Sequence, residues 1–101
     1  MSDITPRKLK EKVQECGGFE SISFSPHMRF RAGQRRLNWD KIKNTIRNGD
    51  IEKVEINHKP NESIPFENAY IIFLSIEGDT IIVPLYILEN QSMKAVTAMR
   101  K

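Results

Sequence analysis

Apolar positions recur along this chain with two different periods. Up to residue 48 they fall three or four apart, the spacing of one helix face, and from Val54 onward they alternate or run together as in strands. Leu9, Val13 and Cys16 form the first stripe. Thr5 and Pro6 precede it as an N-cap and a first-turn proline, and Gly17 and Gly18 stop it, so the pattern predicts a helix over 5–16. Ile4 and Leu9 occupy the two positions of a hydrophobic staple. Ser25 and Pro26 repeat the signature and predict a second helix over 26–35. Asn38 caps a third over 39–48, with Trp39, Ile42 and Ile46 as its stripe, Gly49 at the C′ position and Leu37 with Ile42 as a second staple.

Between the first two helices, residues 19–24 alternate and predict a short strand with Ile22 and Phe24 inward. Further strands are predicted near 51–57, 69–77, 80–88 and 93–99, the middle pair joined by a hairpin turn at Glu77, Gly78 and Asp79. Residues 59–65, with two prolines and no period, read as an exposed, mobile loop. Pro84 has no N–H for a ladder, so a bulge or a break in pairing is expected there. The expected core is Leu9, Val13, Ile22, Ile42, Ile46, Ile72, Leu74, Ile82 and Val96. This order of elements excludes the alternating strand and helix of a parallel sheet. It predicts a single α+β domain over 1–101, a mostly antiparallel four- to five-stranded sheet with helices on one face.

Composition adds bounds. At 101 residues and 39% hydrophobic, a second independent core would not fit. The single Cys16 rules out an intramolecular disulfide, and no apolar run approaches the ~20 residues of a membrane span. The start Met1-Ser2-Asp3 lacks a secretory signal pattern, which leads us to expect a cytoplasmic protein. Charge is uneven: residues 1–47 hold eleven Lys and Arg against five Asp and Glu, residues 48–101 five against eight. A basic first half suggests an anionic partner, although Arg7, Lys8, Lys10 and Lys12 are what any exposed helix face carries.

The segment that stands out is 27–36, with His27, Arg29, Arg31, Arg35 and Arg36 and no acid. At ~100° per residue, His27, Arg31 and Arg35 climb one flank of a helix beside Met28 and Ala32, while Arg29 and Arg36 point away. An imidazole that titrates near neutrality beside guanidinium forks suits acid–base work on a phosphodiester, the arginines holding the phosphate. The competing reading is structural: the arginines pair with acids from elsewhere, such as Glu52, Glu55 or Glu67. His27, His58 and Cys16 have no metal-ligand spacing, so neither a metal nor another cofactor is expected. Thr97 and Tyr86 are further candidates for a cleft on the sheet, Tyr86 more simply core or edge.

The run Phe24-Ser25-Pro26-His27-Met28-Arg29-Phe30-Arg31, then Arg35, Leu37 and Ile46-Arg47-Asn48-Gly49, resembles short prokaryotic domains of unknown function with an H-A-R-x-R motif followed by another Arg, a helix and N-G. Met28 stands where those domains have Ala and Arg36 where Gly is commoner. They look like relatives of the RelE and BrnT toxins, in the fold group of barnase, EndoU and colicin. The resemblance implies two helices on a four-stranded antiparallel sheet and an RNA-binding, toxin-like protein, a metal-independent ribonuclease or a descendant of one. His27 and Arg31 would be catalytic, and Arg29, Arg31, Arg35 and Arg36 would bind nucleic acid. It also implies an acidic antitoxin-like protein as partner. The alternatives are a non-catalytic module binding a partner or nucleic acid, and a homo-oligomer formed through an exposed sheet edge.

Overall fold

All three predicted helices begin where a side-chain oxygen meets an orphan backbone N–H. In the computed structural model, which describes residues 4–101, they are α1 (Pro6–Glu15), α2 (Pro26–Gln34) and α3 (Trp39–Arg47). Thr5 Oγ1 accepts from the Lys8 N–H at 3.2 Å, Ser25 Oγ from Met28 at 3.0 Å and Asn38 Oδ1 from Lys41 at 3.2 Å. Met1-Ser2-Asp3, read above for the absence of a signal, lies outside the described residues.

The helices also stop alike, in a Schellman pair of hydrogen bonds. Gly17 donates to Gln14 and Gly18 to Val13 at the end of α1; Gly49 donates to Ile46 and Asp50 to Thr45 at the end of α3. In α2 the same two bonds run from Arg36 to Gly33 at 3.2 Å and from Leu37 to Ala32 at 2.8 Å. The C′ residue must be left-handed, with φ of 104° at Gly17, 75° at Gly49 and 54° at Arg36. Glycine takes that conformation freely, whereas a residue with a Cβ gives up roughly 1–2 kcal/mol. Arg36 is thus a strained helix stop.

The sheet is β1 (Ile22–Phe24), β2 (Lys53–Ile56), β3 (Phe66–Ile76), β4 (Asp79–Leu88), β5 (Met93–Ala95) and β6 (Met99–Arg100). Its order is β1-β5-β4-β3-β2, with β6 also on β4. The α+β class holds, but the sheet has six strands and is mixed, because β1 pairs β5 in parallel. Two strands of the sequence reading are each divided. Residues 19–21 form a 3₁₀ turn, held by the Ser21 N–H on Gly18 O at 3.0 Å and Ser21 Oγ on Gly17 O at 2.9 Å. The turn tucks Phe19 under Gly49, where a Cβ would lie 3.0 Å from its ring. The last strand breaks over residues 96–98 into β5 and β6.

Pro84 explains that break. The Leu88 N–H donates to Ser92 O on the β5 side, so by the alternation of a strand the nitrogen of residue 84 faces the same way and has no proton to give. Pairing with β5 ends at Leu85 opposite Ala95, and β6 resumes it at Ile82 opposite Met99. The Val96 carbonyl, left without that donor, accepts from Ser25 Oγ at 2.9 Å. The missing ladder bond is thereby replaced by the hydroxyl that also caps α2.

The helices cover one face of the sheet. Leu9, Val13, Met28, Ile42 and Ile46 pack against Tyr70, Ile72, Leu74 and Ile76 of β3 and Ile81, Val83, Leu85 and Ile87 of β4 in one buried cluster. Seven of the nine expected core residues are buried; Ile82 and Val96 are only half-buried. Ile82 belongs to the opposite face of β4, and Val96 lies in the β5–β6 break. On that opposite face the 59–65 loop, expected to be exposed and mobile, makes a bond to the sheet: the Asn61 N–H donates to Tyr86 Oη at 2.9 Å, and Tyr86 is buried. Phe73 on the same face is covered by the ammonium groups of Lys53 and Lys101, at 5.2 and 5.6 Å from its ring centre. Among the described residues no helix is long and apolar enough to cross a membrane.

Candidate nucleic-acid interface

The cap at Ser25 and its two bonds, to Ala95 O at the end of β5 and to Val96 O just past it, fix α2 against the sheet by its first turn. Its inward side is set by Met28 and Ala32, both fully buried. At ~100° per residue, everything else on the helix is then placed. His27 and Arg31 ascend one flank toward the C-cap Arg35, Arg29 lies on the other, and Phe30 stands directly opposite the core, while Arg36 follows the helix end with a left-handed backbone. His27, Arg29 and Arg36 are exposed, Arg31 and Arg35 half-buried.

Arg35 is committed to the fold. Its Nη1 donates to Thr97 Oγ1 at 3.2 Å and to Ala98 O at 2.6 Å, which clamps the residues between β5 and β6. Thr97 is therefore an anchor for this guanidinium rather than the lining of a cleft. The other Arg35 nitrogens make no hydrogen bond within the described residues and remain free to meet an anion. Arg31 Nη1 donates to Gln34 Oε1 at 3.2 Å, while its Nε is buried without a partner. An unsatisfied buried donor costs roughly 1–3 kcal/mol, so Arg31 is held at a cost to the fold. Arg100, which sequence reasoning passed over, carries the far end of the site: it donates to the carbonyls of Arg35 at 2.7 Å and Arg36 at 3.3 Å and pairs with Asp79 at 3.2 Å. Nothing short of the β4–β6 pairing could have revealed it, since 64 and 65 residues separate the partners.

The structural reading of the arginines can be tested directly. The three ion pairs among the described residues are Lys41 with Glu77, Lys53 with Glu55 and Arg100 with Asp79. None involves Arg29, Arg31, Arg35 or Arg36. Of the acids expected to neutralise them, Glu55 pairs with Lys53 and Glu67 accepts from Gln91. Two guanidinium groups on α2, Arg29 and Arg31, and two just past its end, Arg35 and Arg36, thus make no ion pair among the described residues, although Glu77 and Asp79 line a hollow with Arg36.

A hollow of about 20 Å³ lies between Arg36, Asn38, Glu77, Asp79 and Arg100, room for a single water-sized group. A group the size of a nucleotide would not fit in it and would have to lie on the open surface of α2. His27 sits in the first turn of that surface, one helical turn from Arg31, and makes no side-chain hydrogen bond within the described residues. Among the same residues, no three of His, Cys, Asp and Glu come together as a metal site would require. No protein-family model, curated protein or solved structure matches this chain. The site stands on its geometry.

Proposed function

We propose that this chain is a toxin-like RNA-binding protein that takes the phosphate backbone on the basic face of α2. The observation that carries the reading is the set of four arginines on α2 and at its C-terminal end, Arg29, Arg31, Arg35 and Arg36, none of which is in an ion pair among the described residues. Arg31 and Arg35, four residues apart, place like charges side by side, which is unfavourable by itself, and a polyanion relieves it. Arginine also suits phosphate in particular, since its planar fork meets two oxygens at once. The resemblance of residues 24–49 to the H-A-R-x-R domains points to the same helix.

Cleavage is the second reading, favoured by the open position of His27 one turn from Arg31. In a metal-independent reaction the 2′-hydroxyl attacks the adjacent phosphorus, the imidazole takes the hydroxyl proton, and the resulting imidazolium gives that proton to the departing 5′-oxygen, leaving a 2′,3′-cyclic phosphate. His27 has no hydrogen-bonded residue to orient it, so binding is the better supported of the two.

The experiment is a titration of RNA at several salt concentrations. Each phosphate neutralised releases counterions, so the logarithm of affinity should fall linearly with the logarithm of salt, and replacing Arg29, Arg31 or Arg36 by Ala should make the slope shallower. Affinity that ignores salt and survives these substitutions would overturn the proposal.

A further inference from the structure

We propose that α2 also carries a stacking platform for an unpaired base, formed by the ring of Phe30 and the bare backbone at Gly33, so that its RNA is single-stranded. The inference rests on the reading of α2 as an RNA surface and deepens it.

Two observations bear on the platform independently. Phe30 is 62% exposed, the most exposed large apolar side chain among the described residues. It belongs to neither aromatic pair of the fold, Phe24 with Trp39 or Phe66 with Tyr86, and projects from the ridge of α2 away from Met28 and Ala32. Water gains nothing from an aromatic ring held there, whereas a flat partner does. Gly33 lies one turn further on. Its φ is not in the left-handed region, and a Cβ at this position would meet no atom within 4 Å. Neither the backbone nor the packing therefore requires glycine, although glycine weakens a helix relative to alanine. What remains is access: a bare position admits close approach of something from outside.

The two features adjoin. Helical side chains lean toward the N-terminus, so Phe30 covers the turn of Pro26 and His27 and leaves the side toward Gly33 open. Arg29 and Arg31 flank the ring along the chain, and Gln34, which receives Arg31 Nη1, stands one turn from it. A flat, π-faced group bearing phosphates on both sides satisfies this arrangement. That is a nucleotide within a strand, and its base must be unpaired, because in a duplex both faces of each base are covered by stacking.

The test is fluorescence anisotropy with a labelled mixed-sequence oligoribonucleotide, alone and annealed to its complement. Phe30→Ala should weaken single-strand binding about tenfold or more, with the salt slope unchanged and duplex binding unaffected. Phe30→Tyr should retain affinity; Phe30→Leu should behave as the alanine variant; Gly33→Leu should weaken binding by filling the space over the backbone. Both positions of change, Phe30 and Gly33, are exposed, and thermal melts verify that each variant folds. Full affinity in Phe30→Leu, or equal losses on single strand and duplex, would overturn the platform while the basic face stands. Wild-type binding that does not respond to salt or to loss of Arg31 would overturn the RNA reading and the platform together.

Discussion

Replacing Arg36 by glycine separates the two roles this residue combines. At φ 54° its Cβ crowds the following carbonyl, at a cost of roughly 1–2 kcal/mol that glycine does not bear. Glycine enlarges the unfolded ensemble in return, which takes back about 0.4–1 kcal/mol. The bonds that Arg100 makes to the carbonyls of Arg35 and Arg36 go to backbone and survive the change. The guanidinium makes no ion pair among the described residues, so its loss removes no salt bridge, although Glu77 and Asp79 line the same hollow. The net expectation is a gain of about 0.5–1 kcal/mol, or a rise in Tm of a few degrees for a domain this size. Urea denaturation should show the gain as a higher midpoint at constant m. Arg36→Ala is the control: it also removes the charge but keeps the Cβ, and should gain nothing. On RNA both variants should bind more weakly, each with a salt slope shallower by about 0.7 if Arg36 neutralises one phosphate of a single strand. If Arg36→Gly is no more stable than wild type, or if Arg36→Ala gains as much, the strain argument fails. If the salt slope stays the same in both, Arg36 is not part of the interface.

Arg31→Met keeps the aliphatic stem but removes the buried, unpartnered Nε–H; denaturation should show stability unchanged or raised by up to about 1 kcal/mol, while RNA affinity falls. His27→Ala should leave RNA affinity nearly intact and abolish any cleavage measured with chelator present, because a proton shuttle acts in the transition state; cleavage that persists would assign it to another group or a contaminant. Ile46, fully buried on the inner side of α3, should cost about 2–5 kcal/mol when cut to Ala, and an unchanged denaturation midpoint would contradict its place in the core. Burial raises the Cys16 thiol above its ordinary 9.0, with the Glu15 and Glu67 carboxylates adding to it, and burial likewise raises the Tyr70 phenol above 10.0. The unfolded chain then deprotonates first, so the stability these groups contribute is complete below pH 9.0 and is lost as pH climbs through the raised values. Urea midpoints that hold steady from neutral to strongly alkaline pH would contradict this.

The helices were legible because every signal for them is local. Thr5, Ser25 and Asn38 cap within three residues of themselves, and Gly17 and Gly49 stop α1 and α3 within two of the last turn. The hairpin was legible for the same reason: Glu77 and Gly78, at φ 53° and 84°, form a two-residue turn whose left-handed pair matches the twist of β3 and β4. The placement of His27, Arg29, Phe30 and Arg31 around α2 could also be read, since helical geometry alone sets it, whereas the left-handed turn at Arg36 takes that residue off the helix.

Other features depend on partners far along the chain. The pairing of β1 with β5 joins segments some 70 residues apart, and no periodicity in either announces a parallel neighbour. A proline in a strand says that one ladder bond is missing; only the assembled sheet shows Ser25 taking the carbonyl that Pro84 leaves free. Alternation in β4 marks two faces without saying which is inward, because both faces of Thr80–Leu88 are apolar, and so Ile82 was assigned to the core in place of Ile81 and Val83. The charge on α2 belongs to the sequence, but its lack of acidic partners does not. Whether a guanidinium is neutralised depends on where the carboxylates of distant segments come to rest, and that is decided only when the chain has packed.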